Sequence, residues 1–194
     1  MKIILASRSG VRKQILDKYN IESEVIVSNV NEDEVKESLL SENATPYIIS
    51  KNLAEIKSTK VSSRHPEQLV LGADSVISLN NQLINKPRSR EEALEILKKL
   101  NNSKHYLISS VCISKNGAMI WNHSESSELK MKNFAEGELI KYLDKIKTEI
   151  LLMYGVYQVE ADGLNLFEYI KGDMDSIMGL PIKQIMNYIK QYKK

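Results

Sequence analysis

One cysteine in 194 residues, Cys112, leaves no partner for an internal disulfide and excludes a cysteine-rich zinc centre. It lies in the apolar run Val111-Cys112-Ile113, where a small buried residue is the expected reading. A strong excess of either charge is also missing. With 27 basic and 25 acidic side chains the net charge is +2, so nothing global points to DNA, RNA or an anionic membrane surface. No stretch approaches the ~20 apolar residues that span a bilayer. The first apolar run, Ile3 to Ala6, is too short for the core of a signal peptide, which makes the cytoplasm the expected location. His65, His105 and His123 are too scattered for a histidine zinc site. Repeats, low-complexity tracts and long linkers are lacking, and the length of 1–194 suits one domain or two tightly joined lobes.

What is present alternates between strand-like and helix-like segments, which predicts an α/β fold. Ile3-Ile4-Leu5-Ala6 suits a buried strand, and Val11, Ile15, Leu16 and Tyr19 then fall at helical spacing. Residues 21–28 read as a second strand, followed by an acidic loop with Glu32, Asp33 and Glu34. Thr45-Pro46, a cap followed by proline in the first turn, opens a helix with the stripe Ile49, Leu53 and Ile56. Residues 68–79 form the most hydrophobic strand, interrupted by Gly72-Ala73-Asp74 and turned by Asn80-Asn81. Ser89 with Glu92 predicts a capping box for a helix through Leu100, and Asn116-Gly117 marks a hairpin between 105–114 and 118–132. A helix near Glu136 to Lys147, a strand pair around Ala161-Asp162-Gly163 and a helix opened by Pro181 complete the pattern. The hairpins predict a mixed sheet.

Several residues could carry chemistry. A helix N-terminus attracts anions through its free N–H groups and its dipole. At the first strand–helix joint Ser7 and Ser9 add hydroxyls, Gly10 allows close approach, and Arg12 and Lys13 add charge, a set suited to phosphate. The plainer reading is that Ser9 only caps a helix. Asp74, inside an apolar strand, is costly to bury unless paired or bound to a cation, or else hydrogen-bonded to backbone in a bend. A loop carboxylate beside it would make an oxygen-rich site for magnesium. Lys86 is held extended by Pro87, and Lys57 lies beside its helix stripe; each alone also reads as a surface side chain. Glu160, late in an apolar strand, could accept hydrogen bonds from a substrate or simply be exposed.

Taken in order, these pieces resemble the Maf family of nucleoside triphosphate pyrophosphatases over nearly the whole chain. The resemblance rests on Leu5-Ala6-Ser7-Arg8-Ser9-Gly10-Val11-Arg12, Glu32, Leu53-Ala54-Glu55-Ile56-Lys57, Gly72-Ala73-Asp74, Lys86-Pro87, Gly172-Asp173 and Gly179-Leu180-Pro181. It implies a single Maf-like domain with a Maf/ITPase-like fold: a mixed twisted sheet in two lobes with a central nucleotide-binding cleft, commonly a homodimer. It also implies hydrolysis of a nucleoside triphosphate to the monophosphate and pyrophosphate with magnesium or manganese. Ser7, Ser9, Arg12, Lys57 and Lys86 would then hold phosphates, and Glu32 and Asp74 the metal. Asp74 would also be the base for the attacking water, a division of labour left open.

The departures bear on the substrate. Gly10 stands where the family has proline, and Leu152-Met153-Tyr154-Gly155 replaces a run that contains a lysine. Within the family, Val11 and Glu160 resemble the branch acting on 7-methyl-GTP, and Ser75 the branch acting on dTTP and UTP. A glutamate can accept two hydrogen bonds from a guanine-type edge, whereas uracil offers one N–H between two carbonyls. The expected substrate is therefore 7-methyl-GTP-like, with dTTP or UTP as the alternative. Two further readings are a nucleotidyltransferase, on a faint likeness of the opening loop, and a non-catalytic nucleotide-binding regulator of septum formation.

Overall fold

The computed structural model describes residues 2–159 and 162–192. The chain begins with β1 (Ile3–Leu5), α1 (Gly10–Lys18), β2 (Ser23–Val25), α2 (Glu32–Ser41), α3 (Pro46–Ser62), β3 (Val70–Leu79) and β4 (Gln82–Ile84). It continues through α4 (Arg90–Leu100), β5 (Lys104–Lys115), β6 (Ala118–Met131), α5 (Glu136–Asp144) and α6 (Thr148–Tyr154). A 3-10 turn (Asp162–Leu166), β7 (Phe167–Lys171), α7 (Met174–Ile177) and α8 (Ile182–Tyr192) end it. The strands form one mixed sheet in the order β2-β1-β3-β5-β6-β7, with β4 also paired to β3. β1 runs parallel to β2 and β3, while the later pairs are antiparallel, β3–β4 and β5–β6 as hairpins. Asn80 and Asn81 both take positive φ (51° and 61°), as do Asn116 and Gly117 (52° and 74°), the backbone that two-residue hairpins require.

The edge of β3 explains where the sheet opens. β5 covers one edge from Val70 to Ser78. On the other edge β1 pairs only with Val70 and Leu71, and β4 only with Ile77 to Leu79. The strand between, residues 72–76, has no neighbour on that side, and the chain parts around it. Two buried clusters lie beyond the gap. One gathers Ile3, Leu5, Leu16, Leu71, Leu180 and Ile185; the other gathers Leu97, Leu100, Leu129, Leu139, Leu151 and Phe167.

α3 spans the back of the gap. Its buried positions recur as Pro46, Ile49/Ser50, Leu53/Ala54, Lys57/Ser58 and Val61/Ser62, an unbroken helical stripe. The small residues in it let the helix lie against β3. A Cβ on Gly72 would stand 2.1 Å from the Ala54 carbonyl oxygen, so only glycine permits this approach. Ser58 Oγ shares a 2.7 Å hydrogen bond with Ser114 Oγ of β5, and Cys112 is fully buried beside it.

Four local readings are corrected. The acidic stretch is not a loop: Asn31 caps α2, whose side chain accepts the Glu34 amide at 3.4 Å. Among its residues none is buried, so it carried little apolar periodicity. The second strand is confined to Ser23–Val25. The helix expected through Lys147 stops at Asp144, and α6 follows separately, with Leu151 its one buried side chain. In place of a strand pair around Asp162-Gly163, a 3-10 turn leads into β7, and residues 155–159 form no strand.

Candidate active site

A cleft of about 470 Å³ opens along the unpaired stretch of β3, within the range of small-ligand pockets. At one wall β1 ends and α1 begins. Ser9 caps α1, its hydroxyl oxygen accepting the Arg12 amide at 3.3 Å. Ser7 Oγ accepts the Ser9 amide at 3.3 Å and Arg12 Nη1 at 3.0 Å. Both serine oxygens act as acceptors here, which leaves each hydroxyl hydrogen free to donate to an anion.

Arg12 does more than add charge. Nε donates to the Gly179 carbonyl at 2.9 Å, Nη1 to the Ala73 carbonyl at 2.9 Å, and Nη2 to Ser75 Oγ at 3.0 Å. With Ser7, four of its five N–H donors are taken by the protein. The Ala73 carbonyl lies on the unpaired stretch of β3, so Arg12 supplies the donor that a neighbouring strand would have given. Burial lowers the pKa of this guanidinium, while Asp74 and Glu32 raise it. Arg12 thus ties α1, β3 and the turn at Gly179 into one wall. That turn is tight, with φ +101° at Gly179 and room for a Cβ only 3.1 Å from Ser75 Oγ.

Opposite charges meet at the centre. Lys57 Nζ stands 2.8 Å from Glu32 Oε1 and 2.8 Å from Asp74 Oδ1. The Lys57 and Asp74 side chains are buried, at 8% and 7% exposure, while Glu32 is 37% exposed. Lys57 falls inside the buried stripe of α3, not beside it, and its two carboxylate partners make that burial tolerable. Desolvation alone would raise the Glu32 pKa; attraction to Lys57, then Lys86 and Lys36, outweighs it and holds the carboxyl below its ordinary value. Asp74 Oδ2 is buried and has no hydrogen-bond partner, an acceptor left available.

This donor set suits a small divalent ion. Among the described residues no three His, Cys, Asp or Glu side chains converge. Magnesium characteristically takes one or two carboxylates and completes its shell with water and substrate phosphates. Glu32 and Asp74, with the unpartnered Asp74 oxygen, meet that description.

The remaining candidates sit around this centre. Lys86 is exposed as a residue, yet its ammonium donates to the Met153 carbonyl at 2.8 Å, and desolvation there lowers its pKa. Val11 lines the cleft and packs on the first cluster. The Ser75 hydroxyl is engaged by Arg12 and, at 2.9 Å, by Ser109 Oγ. Glu160 lies outside the described residues. Asn29 and Lys36 also line the cleft without having been candidates, as do Arg8, known only as part of the opening motif, and Met153, known only from the run that lacks the family's lysine. Of the two that were not candidates, Lys36 carries a signal, four residues after Glu32 and so on the same helical face.

The sequence profile of the Maf-like protein family matches residues 2–192. A nucleoside triphosphate pyrophosphatase of Pelagibacter ubique is 58% identical over 192 residues, covering 99% of this chain and 98% of its own. One from Paramagnetospirillum magneticum is 36% identical over 188 residues, covering 97% of each. A solved HAM1 protein from Coxiella burnetii is a far looser match, 15% identical with a TM-score of 0.43 over 68% of this chain and 73% of its own.

Proposed function

This chain belongs to the Maf-like protein family, and on that premise we propose that it is a hydrolase that converts a nucleoside triphosphate to the monophosphate and pyrophosphate. The observation that carries the reading is the Glu32–Lys57–Asp74 cluster set beside the Ser7–Ser9 wall in one cleft. Phosphate oxygens accept hydrogen bonds from the Ser7 and Ser9 hydroxyls at the N-terminus of α1. Lys57 and Lys86 turn from their protein partners toward the triphosphate and balance its charge. Arg12 holds the wall in place more than it holds phosphate. Asp74 accepts the proton of the attacking water. Glu32 and Asp74 would hold magnesium or manganese, which supplies neutralising charge for the departing pyrophosphate.

For the base, the proposal favours a guanine-type edge, as in 7-methyl-GTP. Glu160 offers two acceptors in the sequence, and Val11 gives an apolar cleft residue. Ser75, the residue pointing to dTTP or UTP, has its hydroxyl committed to the protein wall. The family resemblance further supports a homodimer acting on free nucleotides, and the balanced charge and short first apolar run favour the cytoplasm and argue against a nucleic-acid or membrane partner; light scattering reads the mass of the assembly. The test is a panel of 7-methyl-GTP, GTP, dTTP and UTP with magnesium or manganese. Highest kcat/KM on 7-methyl-GTP is expected, and a preference for dTTP or UTP would reverse the assignment of the base. Tight nucleotide binding without turnover would instead favour a regulator.

A further inference from the structure

Five cations border the cleft: Arg8, Arg12, Lys36, Lys57 and Lys86. Four of them are hydrogen-bonded within the protein. Arg8 Nη2 donates to Asn29 Oδ1 at 3.0 Å, Arg12 to its four acceptors, Lys57 to two carboxylates and Lys86 to the Met153 carbonyl. Lys36 differs. Its nearest carboxylate, Asp33, stands 3.9 Å away, and among the described residues its ammonium makes no hydrogen bond. The Asp33 side chain is 81% exposed, so water screens that pair, whereas the Lys36 side chain is only 14% exposed. The stem of the side chain is thus packed while its ammonium, with three donors and no hydrogen-bonded partner in the protein, is left to the cleft.

Its placement says what would satisfy it. Lys36 follows Glu32 by one helical turn, so both project from the same face of α2 toward the cleft. The positive charge reaches Glu32, whose carboxylate it helps hold ionised. The neighbouring walls present the Ser7 and Ser9 hydroxyls and Lys57, all suited to an anion. We propose that Lys36 is a further binding residue for the phosphate chain of the substrate, the one cleft cation that needs no protein partner broken before it engages. This rests on the nucleotide reading above and assigns Lys36 to binding, not to the chemical step.

Titration calorimetry of pyrophosphate and of guanosine into wild type, Lys36→Gln and Lys36→Arg tests it. Lys36→Gln should weaken pyrophosphate binding about tenfold, the scale of a charge-assisted hydrogen bond, and leave guanosine affinity unchanged. Lys36→Arg should recover most of the loss. Steady-state kinetics should show KM for the triphosphate rising by a similar factor while kcat holds. Unchanged pyrophosphate affinity in a folded Lys36→Gln, or equal weakening of guanosine, would overturn the assignment. The two readings fail separately. A wild type that binds pyrophosphate through Lys36 but turns over no triphosphate keeps this proposal and removes the hydrolase; normal turnover with an indifferent Lys36→Gln does the reverse.

Discussion

Gly72→Ala tests the link between packing and the site. The added Cβ would stand 2.1 Å from the Ala54 carbonyl oxygen, 2.7 Å from the Ser58 amide nitrogen and 2.9 Å from Ser58 Cβ. Two of these are backbone atoms of α3, so no rotamer change relieves the clash. Ordinary contact begins near 3.4 Å, so α3 must retreat by about 1.3 Å (3.4 less 2.1). Overpacking of this kind costs about 1–3 kcal/mol, or roughly 2–12 °C of Tm in a chain of this size. Lys57 lies between the two contact points on α3. If its ammonium follows the helix, the 2.8 Å contact with Asp74 opens to about 4 Å, outside hydrogen-bond range. Activity should therefore fall further than the folded fraction does. Thermal unfolding by circular dichroism and kcat on the same preparation measure the two effects. Gly137→Ala is the control: nothing lies within 4 Å of its Cβ, and alanine there should stabilise α5 by about 0.5–1 kcal/mol. Gly72→Ala with wild-type Tm and kcat would refute the claim that α3 lies against β3 closely enough to position Lys57.

Three further outcomes are expected. Lys57→Met leaves the buried Asp74 carboxylate without its counter-charge and should cost about 3 kcal/mol in urea unfolding, part of which Asp74→Asn restores; equal losses in the single and double variants would contradict the ion pair. Arg12→Lys cannot span Ser7, Ala73, Ser75 and Gly179, so about 2 kcal/mol of stability and most of kcat should be lost together, measured by the same unfolding and turnover assays. His105 is fully buried, and desolvation pushes its imidazole down to about 4 from an ordinary 6.5, with the Ser103 backbone opposing. The folded state prefers the neutral ring, so stability is unaffected above pH 6.5 and declines as pH falls toward 4, by about 2 kcal/mol at pH 5. His105→Phe should flatten that window in a pH series of unfolding curves, and an unchanged slope would assign it elsewhere.

The parts of the fold written in local chemistry were readable from sequence. Ser9 caps α1, Thr45-Pro46 starts α3, and the asparagine turns close the hairpins, because each depends on a few adjacent residues. Ser89 likewise accepts the Glu92 amide at 3.2 Å, with the Glu92 carboxylate returning to the Arg88 amide at 2.7 Å. α2 and α6 were missed because neither shows a strong apolar period. At the site, residue types suggested which side chains matter but not which partners they take. Lys57 looked like a phosphate cation at the margin of a stripe; tertiary pairing with Glu32 and Asp74 put it at the centre of one. The sequence offers Arg12 to phosphate, but not its four protein acceptors, which depend on the unpaired edge of β3 where β1 and β4 stop short of each other. Such partnerships join residues as far apart as Arg12 and Gly179, beyond the reach of any local pattern.

The most direct test of the account is the identity of the products. Purified protein with magnesium and 7-methyl-GTP or GTP should release pyrophosphate and the monophosphate in equal amounts, with no orthophosphate. Folded Asp74→Asn should lose about 100-fold or more of that turnover, the scale of a general base. Release of orthophosphate, or near-normal turnover by Asp74→Asn, would contradict the central claim that this cleft cleaves a triphosphate at its first anhydride bond through Asp74.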